Sequence, residues 1–413
     1  MRITLQLLLN VLLALFVLSC NSPNEPLIPP PGEVPGEITG AITPVGKVDG
    51  KIVTFQIGPS GGAIESADHR ILISIPAGAL ASEQAISIQP LTNQCPAGKG
   101  NAFRLLPHGT TFSKPVSITF HYRETDTIGS APELLRIAYQ DDKGIWQSPP
   151  VKSLDTKASK VTIETTHFSD WALFQEMYIN PMKSILSPGG HLQLAVLQTI
   201  DVGDPKKKYA VVMAGPVSAK NINKWALNGE GVLTPGESKA EYHAPTWIPD
   251  INPAVVSVHL NKSLMINGKE YKDLRLVSNI LVAPEGISVQ LDGGDWHTYA
   301  GGANINATQN VILGKDGIEF ASVAWKGEPT GTFHWTKGPD VAFNLVKPKI
   351  NYQHLYGLAP SVSGGLLIVD NSDETWVTGT FTVSPAGWMD LSKAKPEIGI
   401  SNVKGVFRVR RVN

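Results

Sequence analysis

The sequence predicts an all-β protein built from tandem β-sandwich domains, and three observations support this fold class. Turn-forming residues are abundant, with 39 Gly and 31 Pro, whereas only 17% of the residues are charged. Short runs of alternating or β-branched residues follow one another, as in Ile71–Ile75 and Val116–Phe120. No segment carries the apolar stripe of an amphipathic helix. A formal net charge of −1 also gives no basic surplus, so we expect no nucleic acid partner.

Residues 1–20 predict a lipoprotein signal peptide. Arg2 precedes an apolar run from Leu7 to Leu18 that is too short to span a bilayer comfortably. The run ends in Val17-Leu18-Ser19-Cys20, which resembles the bacterial lipobox. The resemblance implies cleavage before Cys20 and lipidation of that residue, and several acyl chains on one residue make a stable anchor. The alternative is a short membrane helix or a plain secretory signal.

Residues 21–46 predict an extended tether, because they are rich in Pro and Gly and lack the aromatic residues of a core. Anchor and tether together predict a protein of the bacterial cell envelope, with the membrane as one partner. Asn21, in place of Asp after the lipidated residue, favours the outer membrane. Cys95 is then the remaining thiol, and its isolated position in a turn predicts a packed cysteine rather than a catalytic one.

Residues 47–175 contain one strand-like run after another, and Pro76, Pro90, Pro107 and Pro115 are predicted to mark strand ends because proline cannot donate to a ladder. Several short motifs in this segment resemble, in order and spacing, the ZU5 domain of ankyrins, netrin receptors and the death-domain protein PIDD. These motifs are Gly61-Gly62, Ile75–Leu80, Pro107–Val116, Trp146 and His167-Phe168-Ser169. The sequence shows neither the UPA domain nor the death domain of those proteins, so spectrin binding and apoptotic signalling are not expected.

The ZU5 resemblance implies a candidate self-cleavage site at His167-Phe168-Ser169. In some related domains the serine hydroxyl attacks the preceding carbonyl, and water then hydrolyses the resulting ester. For this sequence the resemblance implies that Ser169 is the nucleophile, that His167 is the base or strain element, and that Phe168–Ser169 is the scissile bond. The alternative, which we favour, is that His167 and Phe168 close the sandwich while Ser169 bonds a turn with Asp170, because three residues cannot encode strain.

Residues 176–283 predict a second sandwich. Trp225 is predicted to be buried and to precede a hairpin at Asn228–Gly231, and strand-like runs follow at Ala240–Pro245 and Val255–Leu260. This order resembles bacterial immunoglobulin-like modules, which commonly act as spacers or stalks.

Residues 284–413 predict a C-terminal β-domain resembling those of Bacteroidota lipoproteins, to which no activity is attached. Trp335 and Trp376 stand in strand-like runs and are predicted to belong to the core. Trp296 and Trp388 are flanked by Gly or Pro and are candidates for stacking on sugar rings, which makes a glycan-binding accessory protein one alternative.

Three acidic clusters, Asp201–Asp204, Asp292–Asp295 and Asp370–Glu374, lack the spacing of a calcium loop and are predicted to be turns. We therefore expect no metal site and no cofactor, and no motif predicts an enzyme. The preferred hypothesis is a membrane-anchored envelope lipoprotein acting as a non-enzymatic interaction, adhesion or structural module, with a protein or glycan partner. Self-processing at Phe168–Ser169 and glycan binding are the alternatives.

Overall fold

The computed structural model describes residues 40–200, 209–261, 263–266, 269–306, 308–393 and 395–412. Its strands confirm the predicted all-β class with tandem sandwiches, and its helical segments are the short 3-10 turns Glu124–Thr127, Pro132–Leu134 and Ala219–Asn221. Within these ranges, no helix is long and apolar enough to cross a bilayer. The predicted signal peptide, Cys20 and most of the tether lie outside the described residues.

The first sandwich consists of two antiparallel sheets, ordered β1-β4-β5-β11-β7-β8 and β2-β3-β6-β10-β9. Their inner faces share one apolar core that includes Ile73, Phe103, Ile118 and Trp171, each of them almost fully buried. The strands are β1 (Val53–Ile57), β2 (Gly62–Glu65), β3 (Ile71–Ile75), β4 (Gln84–Leu91), β5 (Gly98–Leu106), β6 (Thr111–His121), β7 (Leu135–Gln140), β8 (Trp146–Ser148), β9 (Ser153–Asp155), β10 (Lys160–His167) and β11 (Asp170–Gln175).

Pro76 and Pro107 directly follow β3 and β5, which confirms the prediction that they mark strand ends. For Pro90 and Pro115 the same prediction is wrong, because both lie within strands. Pro115 lies inside β6, where the register of β10 shifts between Thr165 and His167 and where the pairing with β3 has already ended. Pro90 lies inside β4, beyond the last residue that pairs with β1. At both positions the missing N–H removes no hydrogen bond from the neighbouring ladder, which makes proline tolerable there.

The second sandwich has two layers. One layer is the sheet β13-β22-β19-β16, and the other consists of strands that continue a sheet of the first sandwich. Tyr209 of β15 pairs with Ser148 of β8, so one eleven-stranded sheet runs through both sandwiches. The core includes Val196, Tyr242 and Ile280. The strands are β12 (Met177–Asn180), β13 (Lys183–Leu186), β14 (His191–Ile200), β15 (Tyr209–Pro216), β16 (Ile222–Asn228), β17 (Val232–Pro235), β18 (Lys239–His243), β19 (Ala254–Leu260), β20 (Leu264–Ile266), β21 (Lys269–Tyr271) and β22 (Arg275–Val282).

The C-terminal strands form a closed sheet in which β23-β24-β25-β26-β28-β29-β33-β34 return to β23, with β32 and β27 added alongside β33. An eight-stranded closed sheet has an interior that side chains can fill, and here Tyr299, Trp325, Phe343 and Phe407 fill it. The strands are β23 (Gly286–Leu291), β24 (Trp296–Asn304), β25 (Asn310–Asp316), β26 (Glu319–Trp325), β27 (Gly331–His334), β28 (Val341–Val346), β29 (Ile350–Gln353), β30 (Leu355–Tyr356), β31 (Ser361–Val362), β32 (Leu366–Ser372), β33 (Trp376–Asp390) and β34 (Glu397–Arg411).

The second sandwich and the closed sheet meet through a small apolar cluster. This junction cluster contains Ile248, Leu281 and Ala283 from the second sandwich and Val406 from β34, all of them buried. Beside it, Nη1 of Arg408 donates a hydrogen bond of 3.1 Å to Oγ of Ser187. Burial of these apolar side chains holds the two parts together.

The buried ion pair of the first sandwich is expected to be costly to break. Nη1 of Arg70 lies 2.7 Å from Oδ2 of Asp126, and both side chains are 7% exposed. The substitution Arg70→Met leaves the Asp126 carboxylate buried without its guanidinium partner, so we expect the free energy of unfolding to fall by about 3–5 kcal/mol. Urea denaturation followed by tryptophan fluorescence measures this change, because urea does not screen charges.

The matched control for Arg70→Met is Lys326→Met, which removes an exposed ion pair of 2.6 Å between Lys326 and Asp340. Exposed pairs contribute roughly 0–1 kcal/mol. Equal losses of stability in the two variants would show that burial of the Arg70–Asp126 pair is not what matters.

Candidate functional site

The tripeptide His167-Phe168-Ser169 lies where β10 ends and β11 begins, at the closing edge of the first sandwich. Phe168 is 1% exposed, and its ring packs edge-to-face on Phe112 with a centroid distance of 4.7 Å. The Phe168 N–H donates to the carbonyl of Thr110 at 3.1 Å. Phe168 therefore belongs to the core and ties the junction of β10 and β11 to the start of β6.

The groups of the predicted scissile bond have defined hydrogen-bond partners. The Ser169 hydroxyl donates to the carbonyl oxygen of Gln140 at 2.6 Å. The Phe168 carbonyl oxygen accepts the Gly109 N–H at 3.3 Å. An N–H in that position is the kind of donor that stabilises an oxyanion on this carbonyl. The arrangement supplies one oxyanion donor and directs the Ser169 hydroxyl to a backbone carbonyl.

The backbone of residues 167–169 adopts negative φ angles. Among the described residues, the non-glycine positions with positive φ are His69, Ala97, Ser159, Asp273 and Asp292. The strain that would assist cleavage is thus not stored in a left-handed backbone at this tripeptide.

His167 lies beside a small surface cavity of about 200 Å³ that Glu164 and Trp171 also line. Its Nδ1 is 3.0 Å from Oγ1 of Thr165, and its ring packs on Tyr139 with a centroid distance of 4.6 Å. Since Phe168 and Ser169 are buried whereas His167 is half-exposed, the three side chains of the motif occupy different environments.

Next to Ser169, a guanidinium and a carboxylate bridge β5 and β11. Arg104 donates two hydrogen bonds of 2.8 Å to the carboxylate oxygens of Asp170. This bidentate pair fixes the strand that begins directly after the motif. The predicted interaction of Ser169 with a turn at Asp170 is not formed, because the Ser169 hydroxyl bonds Gln140 and the Asp170 carboxylate bonds Arg104.

Trp296, the first candidate for sugar stacking, lies at the start of β24 and is half-buried. Its indole packs against the junction cluster. Trp388, the second candidate, is half-buried on β33, opposite Tyr352 of β29 and Gly399 of β34. A Cβ atom added to Gly399 would lie 2.2 Å from the Trp388 ring, so the indole covers this glycine. The two indoles contact different residues and do not form one platform.

Among the other tryptophans, the burial of Trp335 agrees with the sequence prediction, whereas that of Trp376 and Trp225 does not. Trp335 is 5% exposed, which confirms its place in the core. Trp376 is half-buried on the outside of the closed sheet, where the guanidinium carbons of Arg408 and Arg410 lie 4.6 and 4.7 Å from the ring centroid. Trp225 is half-buried rather than fully buried. Cation–π contacts replace a core environment at Trp376.

The acidic clusters form turns at Asp292–Asp295 and from Asp373 onward, whereas Asp370 lies within β32, so the prediction of a turn is wrong there. Oδ1 of Asp373 accepts the backbone N–H groups of Thr375 and Trp376, each at 2.7 Å, and the Asn371 side chain together with these N–H groups lowers the pKa of Asp373. Across the described ranges, no group of three or more His, Cys, Asp or Glu is placed to hold a metal ion. Asp201–Asp204 lie outside those ranges.

Cys95 lies in a buried cluster with Trp146 and Phe174, as a packed cysteine is expected to do. Burial raises the pKa of its thiol well above the usual value. The thiolate, which is the reactive form, is thereby suppressed.

The structure also shows a cavity that the sequence did not indicate. This junction cavity, of about 460 Å³, lies between the second sandwich and the closed sheet, next to the junction cluster. Its wall is apolar at Ile185, Leu281 and Ile368. Its polar side chains are Lys183, Ser184, Asn279, Asp370, Asn371, Thr378 and Thr380. Asp370 and Asn371 belong to a cluster that the sequence singled out, whereas the other lining residues come from strands whose contact depends on the folded chain.

No known family model matches the chain, and a search of curated proteins finds none with similar sequence. The resemblances to ZU5 and immunoglobulin-like modules, and the domain boundaries based on them, stay predictions.

Proposed function

We propose that this protein is a lipid-anchored component of the bacterial cell envelope that acts as a non-enzymatic interaction module, a rigid carrier of binding surfaces. The observation that carries the proposal is the union of its β-units into one body. The ladder between β8 and β15 joins the two sandwiches, and the junction cluster joins the second sandwich to the closed sheet. Units connected in this way hold their surfaces in constant relative positions, as an adhesive or structural module requires.

An ion pair also stabilises the boundary between the two sandwiches. Nη2 of Arg136, on β7, lies 2.5 Å from the carboxylate of Glu176, the residue between β11 and β12. The side chains are 12% and 5% exposed. A largely buried guanidinium, which can donate to both carboxylate oxygens, fixes at this point the direction in which the chain leaves the first sandwich.

The contact surface in this proposal is the outer face of the hairpin formed by β33 and β34. Met389 and Ile398 are directly paired, Ile400 lies on the same face as Ile398 by alternation along β34, and Leu391 directly follows the last residue of β33. Their exposed fractions are 38%, 40%, 60% and 57% for Met389, Ile398, Ile400 and Leu391. Grouped exposed apolar side chains of this kind are typical of surfaces that bind another protein.

The anchor is tested by metabolic labelling with radioactive palmitate. We expect the label in the mature full-length protein and none in Cys20→Ser, because the thiol of Cys20 carries the acyl chains in this proposal. Cys95→Ser is the matched control and should keep the label. An unlabelled wild-type protein, or an uncleaved leader on a cytosolic polypeptide, would contradict the proposal.

The hairpin surface is tested by photocrosslinking in intact cells. A benzoylphenylalanine at Leu391 is expected to form a discrete covalent adduct, whereas one at Ile318, which is 74% exposed in the turn between β25 and β26, is expected to form none. Ile400→Glu should abolish the adduct at position 391, because a carboxylate in the apolar contact must be desolvated. Equal adducts at both positions, or adducts insensitive to Ile400→Glu, would remove this surface from the proposal.

Self-processing at Phe168–Ser169 is the second candidate function, favoured by the Gly109 N–H that already bonds the Phe168 carbonyl. In this reaction Oγ of Ser169 attacks the Phe168 carbonyl carbon and the peptide C–N bond breaks to give an ester and a free amine. Water then cleaves the ester and regenerates the hydroxyl. A backbone donor to the carbonyl oxygen stabilises the negative charge that develops there.

Denaturing electrophoresis of the full chain tests self-processing directly. If cleavage occurs, two fragments should appear in the wild type and one band in Ser169→Ala, while Ser169→Cys should still cleave because a thiol also attacks the carbonyl. Ser113→Ala is the matched control, since its hydroxyl bonds the Gly78 carbonyl elsewhere in the sandwich. One full-length band in the wild type would exclude this function.

A further inference from the structure

The junction cavity has the position and size of a small-molecule site. Its volume of about 460 Å³ falls within the roughly 300–1,000 Å³ of ligand pockets, which occur preferentially where two structural units meet. The walls come from β13 and β22 on one side and from β32 and β33 on the other. Closure of the junction therefore forms the cavity, and no single unit contains it.

Several polar groups of the cavity lack protein partners, although the Asn371 side chain donates to the Asp373 carboxylate. Lys183, Asn279, Asp370 and Thr380 form no side-chain hydrogen bond or ion pair with the part of the chain that the structure describes. Thr378 is fully buried, and its Oγ1 has no hydrogen-bond partner. Native proteins satisfy nearly all buried polar atoms, so a buried hydroxyl that borders a cavity and bonds nothing indicates a missing group.

The charges of the cavity are opposite and lie on opposite walls. Lys183 belongs to β13 of the second sandwich, and Asp370 belongs to β32 beside the closed sheet. They are too far apart to form an ion pair, yet the ammonium of Lys183 acts on the carboxylate. Burial raises the pKa of Asp370, and Lys183 offsets part of this rise. Neither the Lys183 ammonium nor the Asp370 carboxylate is therefore fully neutralised by another group of the protein.

The chemistry of the walls also discriminates between ligand classes. None of the residues that line the cavity is aromatic, so a sugar ring would find no stacking surface there. A compound with one ammonium and one carboxylate would neutralise both walls together, and Thr378 and Asn279 would supply hydrogen bonds to its remaining polar atoms.

We propose that the junction cavity binds a zwitterionic amino compound, either a free amino acid or a dipeptide. Its ammonium group pairs with Asp370 and its carboxylate pairs with Lys183. The residues of this site differ from those of the hairpin surface and of the lipid anchor, and the site assigns a small-molecule ligand to the boundary between the second sandwich and the closed sheet.

Isothermal titration calorimetry of the full chain in mild detergent tests the proposal with a panel of the free L-amino acids and the glycyl dipeptides. At least one member should bind. Its N-acetyl and C-amide derivatives, each lacking one charge, should bind at least about tenfold more weakly, as should the parent compound to Lys183→Gln and Asp370→Asn. The matched control Lys326→Gln removes an exposed ammonium far from these residues in sequence and should bind as the wild type does.

Thr378→Val separates ligand binding from a structural role. The substitution removes the buried hydroxyl that bonds nothing in the free protein, so the thermal midpoint of the free protein should not fall, whereas affinity for the zwitterion should decrease several-fold. Absence of binding across the panel, affinity unchanged in Asp370→Asn, or stronger binding of glucose in the same assay would overturn the proposal.

Discussion

The packing of the second sandwich against the closed sheet buries parts of two outer sheet faces that each unit alone would expose to solvent. Leu281 of β22 and Val406 of β34 lie on the outer faces of their sheets, yet both are almost fully buried because the two faces cover each other. The same contact half-buries Trp296 and leaves the junction cavity beside it. An apolar contact between two outer sheet faces thus creates a site that neither sheet has alone.

Residue patterns predict the local structure well and the long-range closure poorly. The alternation in Ile71–Ile75 corresponds to β3 residue for residue, because period-two burial is a local property of a strand. The closed sheet depends on β34 pairing with β23, whose residues lie more than a hundred positions earlier. No local pattern specifies that pairing. Pro90 and Pro115 show the same limit, since their tolerance depends on where neighbouring strands stop pairing.

The candidate sites repeat this contrast between local and long-range information. The tripeptide His167-Phe168-Ser169 is visible in the sequence, but the partner of the Ser169 hydroxyl is the Gln140 carbonyl on another strand, and the donor to the Phe168 carbonyl is Gly109. A motif names the reacting atoms, whereas the fold supplies the donors and acceptors on which any reaction depends. Lys183 carries no motif at all, and only folding places it opposite Asp370.

Binding in the junction cavity would couple ligand occupancy to the rigidity of the whole body. A zwitterion held by Lys183 on one wall and Asp370 on the other adds an interaction across the boundary that the junction cluster otherwise maintains. A ligand that binds only the closed junction stabilises that arrangement by mass action. The hairpin of β33 and β34 extends from a strand that lines the cavity, through Thr378 and Thr380. Occupancy of the cavity would therefore restrict the strand from which the exposed apolar face of the hairpin projects, and the proposed small-molecule site and the proposed protein-binding surface would share one structural element.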